Sequence, residues 1–275
     1  MKSVFDSQGV LAILDPFSGV AGDMFLGALI DLGLPPAFLE QLPTTLGLDN
    51  VGVQISRTHR CGIGAVKVDF VIPPQPHGRH LKHVLEIVER APAPLEVKAK
   101  CAEAFRLIAT IEADVHGMTV ERVHLHEVGA VDAILDVVGT VWGVAQLGIT
   151  EVRCGTIALG DGFVASAHGR MPVPAPATAR LLEGLSVSMG PVGSGELTTP
   201  TGAALVRVLA RGDMPDSFVP NRVGYGAGTK DFADRPNVFR ITLADAVTSG
   251  AGRETLAMLT ADIDDMSPEH LAIAA

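Results

Sequence analysis

Apolar and polar positions repeat with two different periods along the chain, which predicts strands interleaved with helices. The apolar run from Val10 to Leu14 predicts a strand, and the helical spacing after Asp23 predicts a helix that ends near Gly33. The same periodicities predict further strands at 51–56, 64–72, 151–159 and 238–243, with a short extended piece at 123–128. They also predict helices at 79–90, 95–116, 130–147, 175–183 and 200–209. This alternation favours an α/β fold, with mixed α+β as its variant.

Glycine and proline divide these elements. The chain has 30 Gly and 18 Pro, and many of them fall in loops that also carry polar side chains. Prolines 73, 74 and 76 predict a stiff linker over about 73–83, and the glycines of 224–228 predict a loop. We therefore expect functional groups to lie in Gly/Pro-rich loops.

The tail predicts the start of a second unit. Residues 255–263 have a strand pattern, and Ser267, Pro268 and Glu269 are typical of a helix N-terminus. Only a few residues follow before Ala275, and a helix that short is marginal without a partner. We expect one domain over 1–250 and the truncated start of a C-terminal domain over 251–275.

Charge and cysteine usage limit the partners. With 21 Lys and Arg against 31 Asp and Glu, the formal charge is −10, which disfavours nucleic acid and anionic membranes but leaves metal cations as ligands. The longest stretch without a charged side chain has 14 residues, whereas a membrane span needs about 20. The three cysteines lie far apart, which predicts mostly buried thiols in a cytoplasmic protein with no export signal.

A compact group of metal-ligating residue types lies at 124–136. In an extended segment His124 and His126 point to one face, while Asp132 and Asp136 share a face of the following helix. With Glu127, this mixture of nitrogen and oxygen ligands suits Ni, Mn, Fe, Co or Zn better than Ca or Mg. The alternative is a structural histidine pair followed by carboxylates that cap the helix.

Three further histidines recur at intervals of three. His77 falls in the proline linker, and His80 and His83 share a face of the predicted helix at 79–90. Imidazoles so spaced predict a loose site for metal capture. The alternative is a solvated helix face beside Arg79 and Lys82.

Several loops that lead into helices predict anion contacts. Glycines and a helix N-terminus let backbone N–H groups approach a phosphate. The candidates in the first such loop are Asp15, Ser18, Gly19, Gly22 and Asp23, and those in later loops are His168, Arg170, Thr199 and Thr201. The first loop is neither a Walker A loop nor a dinucleotide fingerprint, and ordinary helix caps and turns are the alternative for each.

Five motifs occur together in a fixed order. They cover 15–29 (DPFSGVAGDMFLGAL), 124–132 (HLHEVGAVD), 167–178 (AHGRMPVPAPAT), 195–204 (GELTTPTGAA) and 224–231 (GYGAGTKD). Together they resemble the LarC family, the nickel insertion proteins of lactate-racemase cofactor biosynthesis. The resemblance spans about 10–270, and residues 262–269 resemble the opening of the family's C-terminal part.

The resemblance implies a nickel chelatase, a metal-inserting lyase. Such proteins insert nickel into pyridinium-3,5-bisthiocarboxylic acid mononucleotide and consume CTP with Mn or Mg. Our hypothesis is that the 124–136 group holds or passes nickel, that the three spaced histidines capture it, and that the substrate phosphate lies at a helix N-terminus such as that after Gly22 or Thr199. The implied partners are the mononucleotide, nickel, the protein's own C-terminal part and further copies of the chain.

Two other functions are also compatible with the sequence. Without a complete C-terminal part, the chain is alternatively a non-catalytic module that binds and delivers nickel. The His and Asp cluster is also compatible with a metal-dependent hydrolase that activates water.

Overall fold

The computed structural model describes residues 9–48, 50–74, 79–123, 125, 129–166 and 169–245. Within these ranges the helices are α1 (Gly22–Asp31), α2 (Pro36–Thr45), α3 (Leu81–Arg90), α4 (Leu95–His116), α5 (Val131–Gln146), α6 (Pro176–Leu181) and α7 (Pro200–Leu209). The strands are β1 (Val10–Asp15), β2 (Gly52–Arg60), β3 (Ile63–Val71), β4 (Ile149–Cys154), β5 (Ile157–Ala158), β6 (Gly160–Asp161), β7 (Phe163–Ser166), β8 (Gly169–Pro172), β9 (Val187–Ser188), β10 (Gly195–Glu196), β11 (Val219–Ala227) and β12 (Val238–Asp245). This is a mixed α/β fold, which confirms the predicted fold class.

A mixed six-stranded sheet organises the molecule. Its strand order is β2-β3-β11-β12-β1-β4, and β1 lies antiparallel to β12 but parallel to β4. Strands β2 and β3 form an antiparallel hairpin. The hairpin joins β11 in parallel at a single residue pair, Val66 with Gly226. The sheet therefore has a narrow joint between the hairpin and the other four strands.

One face of this sheet carries the main core. Ala12 and Leu14 of β1 and Phe239 and Ile241 of β12 point to the same side, as alternate positions of a strand do, and all four are buried. Phe25 of α1 packs on Phe239 with ring centroids 4.8 Å apart. Helix α1 therefore lies directly on the sheet. Helices α5, α4 and α7 belong to the same core, in which α1 contacts α5 and α7, and α4 packs on both of these helices.

Most of the longer predicted helices are present. Helix α4 has the predicted bounds and ends at Gly117, whose φ of 63° is the left-handed conformation that suits a glycine after a helix. Helix α7 begins after Thr199, with Pro200 at its first position. Helix α2 was not predicted; Pro36 opens it and Pro43 lies inside it.

The predicted loop at 224–228 is wrong, because Gly224–Ala227 is the end of strand β11. The glycines of this segment do not form a turn. They allow strand β11 to pack closely on helix α1. A Cβ on Gly226 would lie 1.7 Å from the carbonyl oxygen of Met24, and one on Gly224 would lie 2.5 Å from that of Ala28. Only glycine lets this strand pass so close to the backbone of α1.

Other predictions are partly met or fall outside the described residues. The predicted strand at 151–159 is divided into β4 and β5. Of the extended piece at 123–128, Leu125 bridges Arg79, and the other central residues lie outside the described ranges, as does the tail from 246 onward. Cys101 is buried and Cys154 partly so, whereas Cys61 is exposed, contrary to the general expectation of buried thiols. In the described ranges none of the helices has both the length and the apolar character that crossing a bilayer requires.

Candidate functional site

The first turns of three helices meet around one cavity of about 380 Å³, which we call the three-helix cavity. Its wall contains the starts of α1, α5 and α7: Ala21, Gly22, Asp23, Asp132, Ala133, Asp136, Thr199, Pro200 and Thr201. The rest of the wall is Lys67, Val68, Asp69, Phe70, Ile72, Glu196 and Thr229. Four of the five ordered motifs thus contribute residues to one cavity.

Close backbone contacts hold α1 and α7 together. The backbone N–H of Thr199 donates to the carbonyl oxygen of Val20 over 3.1 Å. A Cβ on Gly202 would lie 2.1 Å from that same oxygen, so only glycine fits there. The two loops that the sequence singled out separately are therefore packed as one unit, and the first-turn N–H groups of both helices lie beside the cavity.

The start of α7 is also fixed by its own cap, because the Thr199 hydroxyl accepts a hydrogen bond from the Gly202 N–H over 3.2 Å. We expect Thr199→Ala to lower the free energy of unfolding by about 1 kcal/mol, since the Gly202 donor loses its acceptor. Urea denaturation measures this, and Thr199→Ser, which keeps the hydroxyl, should remain close to wild type. Equal stabilities of the Ala and wild-type proteins would show that the cap contributes nothing.

Asp136 is buried in the wall of the three-helix cavity without a hydrogen bond to its Oδ1 from any described residue. It packs so tightly on α1 that a Cβ on Gly22 would lie 2.3 Å from Oδ2 of the carboxyl. Burial first, and then the charges of Asp23 and Asp132, raise the pKa of Asp136 well above its usual value, and Lys67 opposes the rise. A buried carboxyl oxygen without a partner is costly in a folded protein, so Asp136 Oδ1 is the candidate ligand atom of this cavity.

Asp132 stands one turn before Asp136 and also lines the cavity. Its Oδ1 accepts a hydrogen bond from the backbone N–H of Ala133 over 2.9 Å, which leaves Oδ2 for a further partner. Two of the five predicted ligands are therefore together at this cavity. The other three, His124, His126 and Glu127, lie outside the described residues.

Lys67 is the cation of the cavity. It is 7% exposed, and its ammonium donates to Asp23 Oδ2 over 2.9 Å, to Asp69 Oδ1 over 2.7 Å and to the Val68 carbonyl oxygen over 2.8 Å. Burial alone would lower the pKa of Lys67, but the charges and hydrogen bonds of Asp23 and Asp69 outweigh it and raise this pKa. The side chain is thus positively charged at neutral pH.

The spaced histidines lie elsewhere. His80 and His83 line a mostly apolar groove of about 760 Å³ between α3 and α4, with ring centroids 6.0 Å apart, and His77 lies outside the described ranges. Nδ1 of His80 lies 3.3 Å from the Val123 carbonyl oxygen. Across the described part of the chain, no three His, Cys, Asp or Glu side chains are grouped so that they could hold a metal ion.

Three residues of the first loop do not line the three-helix cavity. Asp15 pairs with Arg240, and the Ser18 hydroxyl donates to the Pro236 carbonyl oxygen over 2.7 Å. Gly19 has a φ of 82°, and a Cβ there would lie 2.3 Å from the carbonyl group of Leu197. These contacts hold the loop against β12 and the chain before α7, so in the structure these residues support the loop.

Arg170 is also outside the cavity wall. It lies on the β7–β8 hairpin, where its guanidinium stacks over the Phe163 ring at 5.1 Å. His168 falls outside the described residues. A ligand role for either residue therefore remains a prediction.

Four polar residues of the cavity wall are not among the ligands predicted from the sequence. Lys67 and Asp69 alternate with apolar residues in β3, and a lysine in such a strand was the available signal, since lysine is rarely buried without a partner. Glu196 and Thr229 stand inside two of the quoted motifs. Their place in the wall depends on contacts between distant parts of the chain.

Comparison with known proteins gives consistent matches. A family model described as "Nickel insertion protein" matches residues 12–275. The chain is 43% identical over 262 residues to a putative nickel insertion protein of Geobacter sp. (strain M21), a match that covers 94% of this chain and 67% of that protein. It is 46% identical over 263 residues to a putative nickel insertion protein of Geobacter metallireducens, covering 94% of this chain and 66% of the relative.

A third relative has a more specific name. It is the pyridinium-3,5-bisthiocarboxylic acid mononucleotide nickel insertion protein of Thermotoga sp. (strain RQ2), 40% identical over 273 residues, which cover 93% of this chain and 66% of that protein. The chain thus spans about two thirds of the length of these relatives. No solved structure has a significant match to the chain.

Proposed function

The chain belongs to the nickel insertion protein family, and from that membership we propose that its three-helix cavity is where nickel is transferred to pyridinium-3,5-bisthiocarboxylic acid mononucleotide. The observation that carries the proposal is Asp136, whose buried Oδ1 lacks a partner among the described residues in a cavity that four motifs build. The activity is that of a nickel chelatase, a metal-inserting lyase.

In this proposal Asp132 and Asp136 supply oxygen ligands to the incoming nickel ion. His124, His126 and Glu127, which precede α5 in the sequence, supply the other ligands. Imidazole and carboxylate groups bind nickel without the strength of thiolates, so the metal can pass to the sulfur atoms of the substrate. Burial raises the pKa of both Cys101 and Cys154 to about 12, which keeps these thiols protonated and out of competition for the metal.

The phosphate of the mononucleotide is proposed to lie at the helix N-termini of the same cavity. The first-turn N–H groups of α1, at Gly22 and Asp23, and of α7, at Thr201, are suitable donors. The missing side chain of Gly22 makes room for the Asp136 carboxyl, so the phosphate donors of α1 lie next to the proposed metal ligands.

The proposal extends to groups beyond this cavity. His77, His80 and His83 form a capture arm that collects nickel before transfer. Residues 1–250 act as the metal-handling and substrate-handling domain, and 251–275 begin a C-terminal part that uses CTP with Mn or Mg. The protein is proposed to act in the cytoplasm as a homo-oligomer.

A nickel titration tests the metal site directly. We expect Asp132→Asn to weaken nickel binding by at least about tenfold, since one charged ligand is lost. Isothermal titration calorimetry at fixed pH measures the affinity, and Asp213→Asn, an exposed aspartate outside the cavity wall, is the matched control.

The outcomes separate the candidate functions. Equal affinities of both variants and wild type would remove the cavity as the metal site. With binding established, product formation from the mononucleotide, nickel and CTP by the full-length protein distinguishes insertion from delivery. Nickel bound but never transferred would favour the delivery module.

A further inference from the structure

Lys67 is bonded in a way that limits what it can do in the cavity. An ammonium group has three N–H donors, and all three are used by protein oxygens: Asp23 Oδ2, Asp69 Oδ1 and the Val68 carbonyl. No donor remains for a substrate phosphate in this arrangement. The effect of Lys67 on a ligand is therefore electrostatic.

We infer that the fixed charge of Lys67 sets the strength of nickel binding in the three-helix cavity, weakening it enough that the metal can leave for the substrate. The inference rests on the proposed function, because it concerns the same metal and the same cavity. It gives a role to a residue that neither the motifs nor the family match assigns.

The balance of charges in the wall supports this role. Four aspartates, at positions 23, 69, 132 and 136, and Glu196 line the cavity beside one lysine. Removing the ammonium would leave Asp23 and Asp69 without their cation, so the negative charge that faces a divalent cation in the cavity would increase. The ammonium offsets part of that charge, and it cannot move away because two carboxylates and a carbonyl hold it.

The charge of Lys67 reaches the proposed ligands. Lys67 lines the same cavity wall as Asp132 and Asp136, and its charge opposes the rise in the pKa of Asp136. A positive charge there repels a nickel ion bound at Asp132 and Asp136. It also attracts a substrate that carries a phosphate and two thiocarboxylates, so release of the metal and entry of its acceptor are favoured together.

The test compares charge removal with removal of one of its partners in the full-length protein. Lys67→Gln keeps a hydrogen-bonding side chain but no charge, and Asp69→Asn keeps the ammonium but removes one carboxylate. We expect Lys67→Gln to tighten nickel binding on the order of tenfold. We expect Asp69→Asn to weaken it or leave it unchanged, and the KM for the mononucleotide to rise in Lys67→Gln. Lys67→Met, also without charge, repeats the measurement if the amide is poorly tolerated.

Calorimetric nickel titration and circular dichroism on each variant give a clear decision. Tighter nickel binding in Lys67→Gln together with weaker or unchanged binding in Asp69→Asn, with the helical signal retained, supports the inference. Weaker binding in both variants would overturn it, because a purely structural role predicts loss of the site in each case. Unchanged affinity in Lys67→Gln would overturn it too. If Asp132→Asn binds nickel as tightly as wild type does, the proposed metal site is wrong. This result is distinguishable from a failure of the inference about Lys67, which depends on the Lys67→Gln and Asp69→Asn variants.

Discussion

Replacing Asp136 with leucine should make the metal-free protein more stable and at the same time abolish nickel insertion. Leucine has the branched heavy-atom skeleton of aspartate, although its methyl groups are larger, and it removes a buried oxygen that lacks a hydrogen-bond partner among the described residues. Relieving one such group is worth about 1–3 kcal/mol in the free energy of unfolding. Insertion should fall by at least about 100-fold, because a metal ligand is lost.

The stability gain should depend on pH in a defined direction. Since the pKa of Asp136 is raised above 3.8, the folded protein keeps a proton that the unfolded chain has already released at the same pH. The folded state then binds more protons, and the free energy of unfolding of wild type falls as pH rises from about 4 through the folded pKa. The leucine variant lacks this loss, so its advantage should widen as the pH rises from about 4 towards the folded pKa of Asp136.

Urea denaturation of both proteins across that pH range, together with an insertion assay, checks this prediction. Asp213→Leu is a control for the same change at an exposed site. An Asp136→Leu protein less stable than wild type at every pH would mean that the carboxyl has a structural partner. An active one would remove Asp136 from the metal site.

Gly226→Ala should lower the free energy of unfolding far more than an ordinary glycine-to-alanine change in a strand. The added Cβ would lie 1.7 Å from the Met24 carbonyl oxygen and 2.7 Å from the Ala28 nitrogen, and both are backbone atoms of the buried helix α1. Neither can rotate away as a side chain would, so the strand and helix must separate. We expect a loss of about 3 kcal/mol or more.

The matched control is Gly64→Ala in the neighbouring strand β3. There the nearest heavy atom to a new Cβ is His59 Nε2 at 3.8 Å, an ordinary contact, and the change should have little effect on stability. Urea denaturation midpoints compare the two variants. Similar midpoints would contradict the packing role of Gly226.

The predictability of the fold follows the range of the interactions involved. Helices α4 and α7 were predicted closely because their signals are local: an apolar spacing, Gly117 at one end, and Thr199 with Pro200 at the other. The strand β11 was missed because its glycines resemble a turn. What makes them strand residues is helix α1, about 200 positions earlier in the chain, and no local pattern contains that contact.

In the candidate site, too, features with a local sequence signal were predicted, and features that depend on contacts between distant residues were not. Asp132 and Asp136 were predicted to share one helix face, and both line the cavity. The loops at Gly22 and Thr199 were found as separate anion candidates, but their meeting at one cavity depends on the Val20–Thr199 hydrogen bond. Lys67 was not identified, since its partners Asp23 and Asp69 are recognised only when β3 and α1 are placed together.

The β2–β3 hairpin meets the rest of the main sheet at a narrow joint between β3 and β11. Its backbone pairs with β11 at one position, and α1 covers that position so closely that a Cβ on Gly27 would lie 2.3 Å from the Val66 carbonyl oxygen. The Lys67–Asp23 ion pair spans the same joint, with one partner on the hairpin and the other on the helix. The same ion pair therefore belongs to the cavity wall and joins the hairpin to helix α1, so a substitution at Lys67 also removes a contact that holds the hairpin in place.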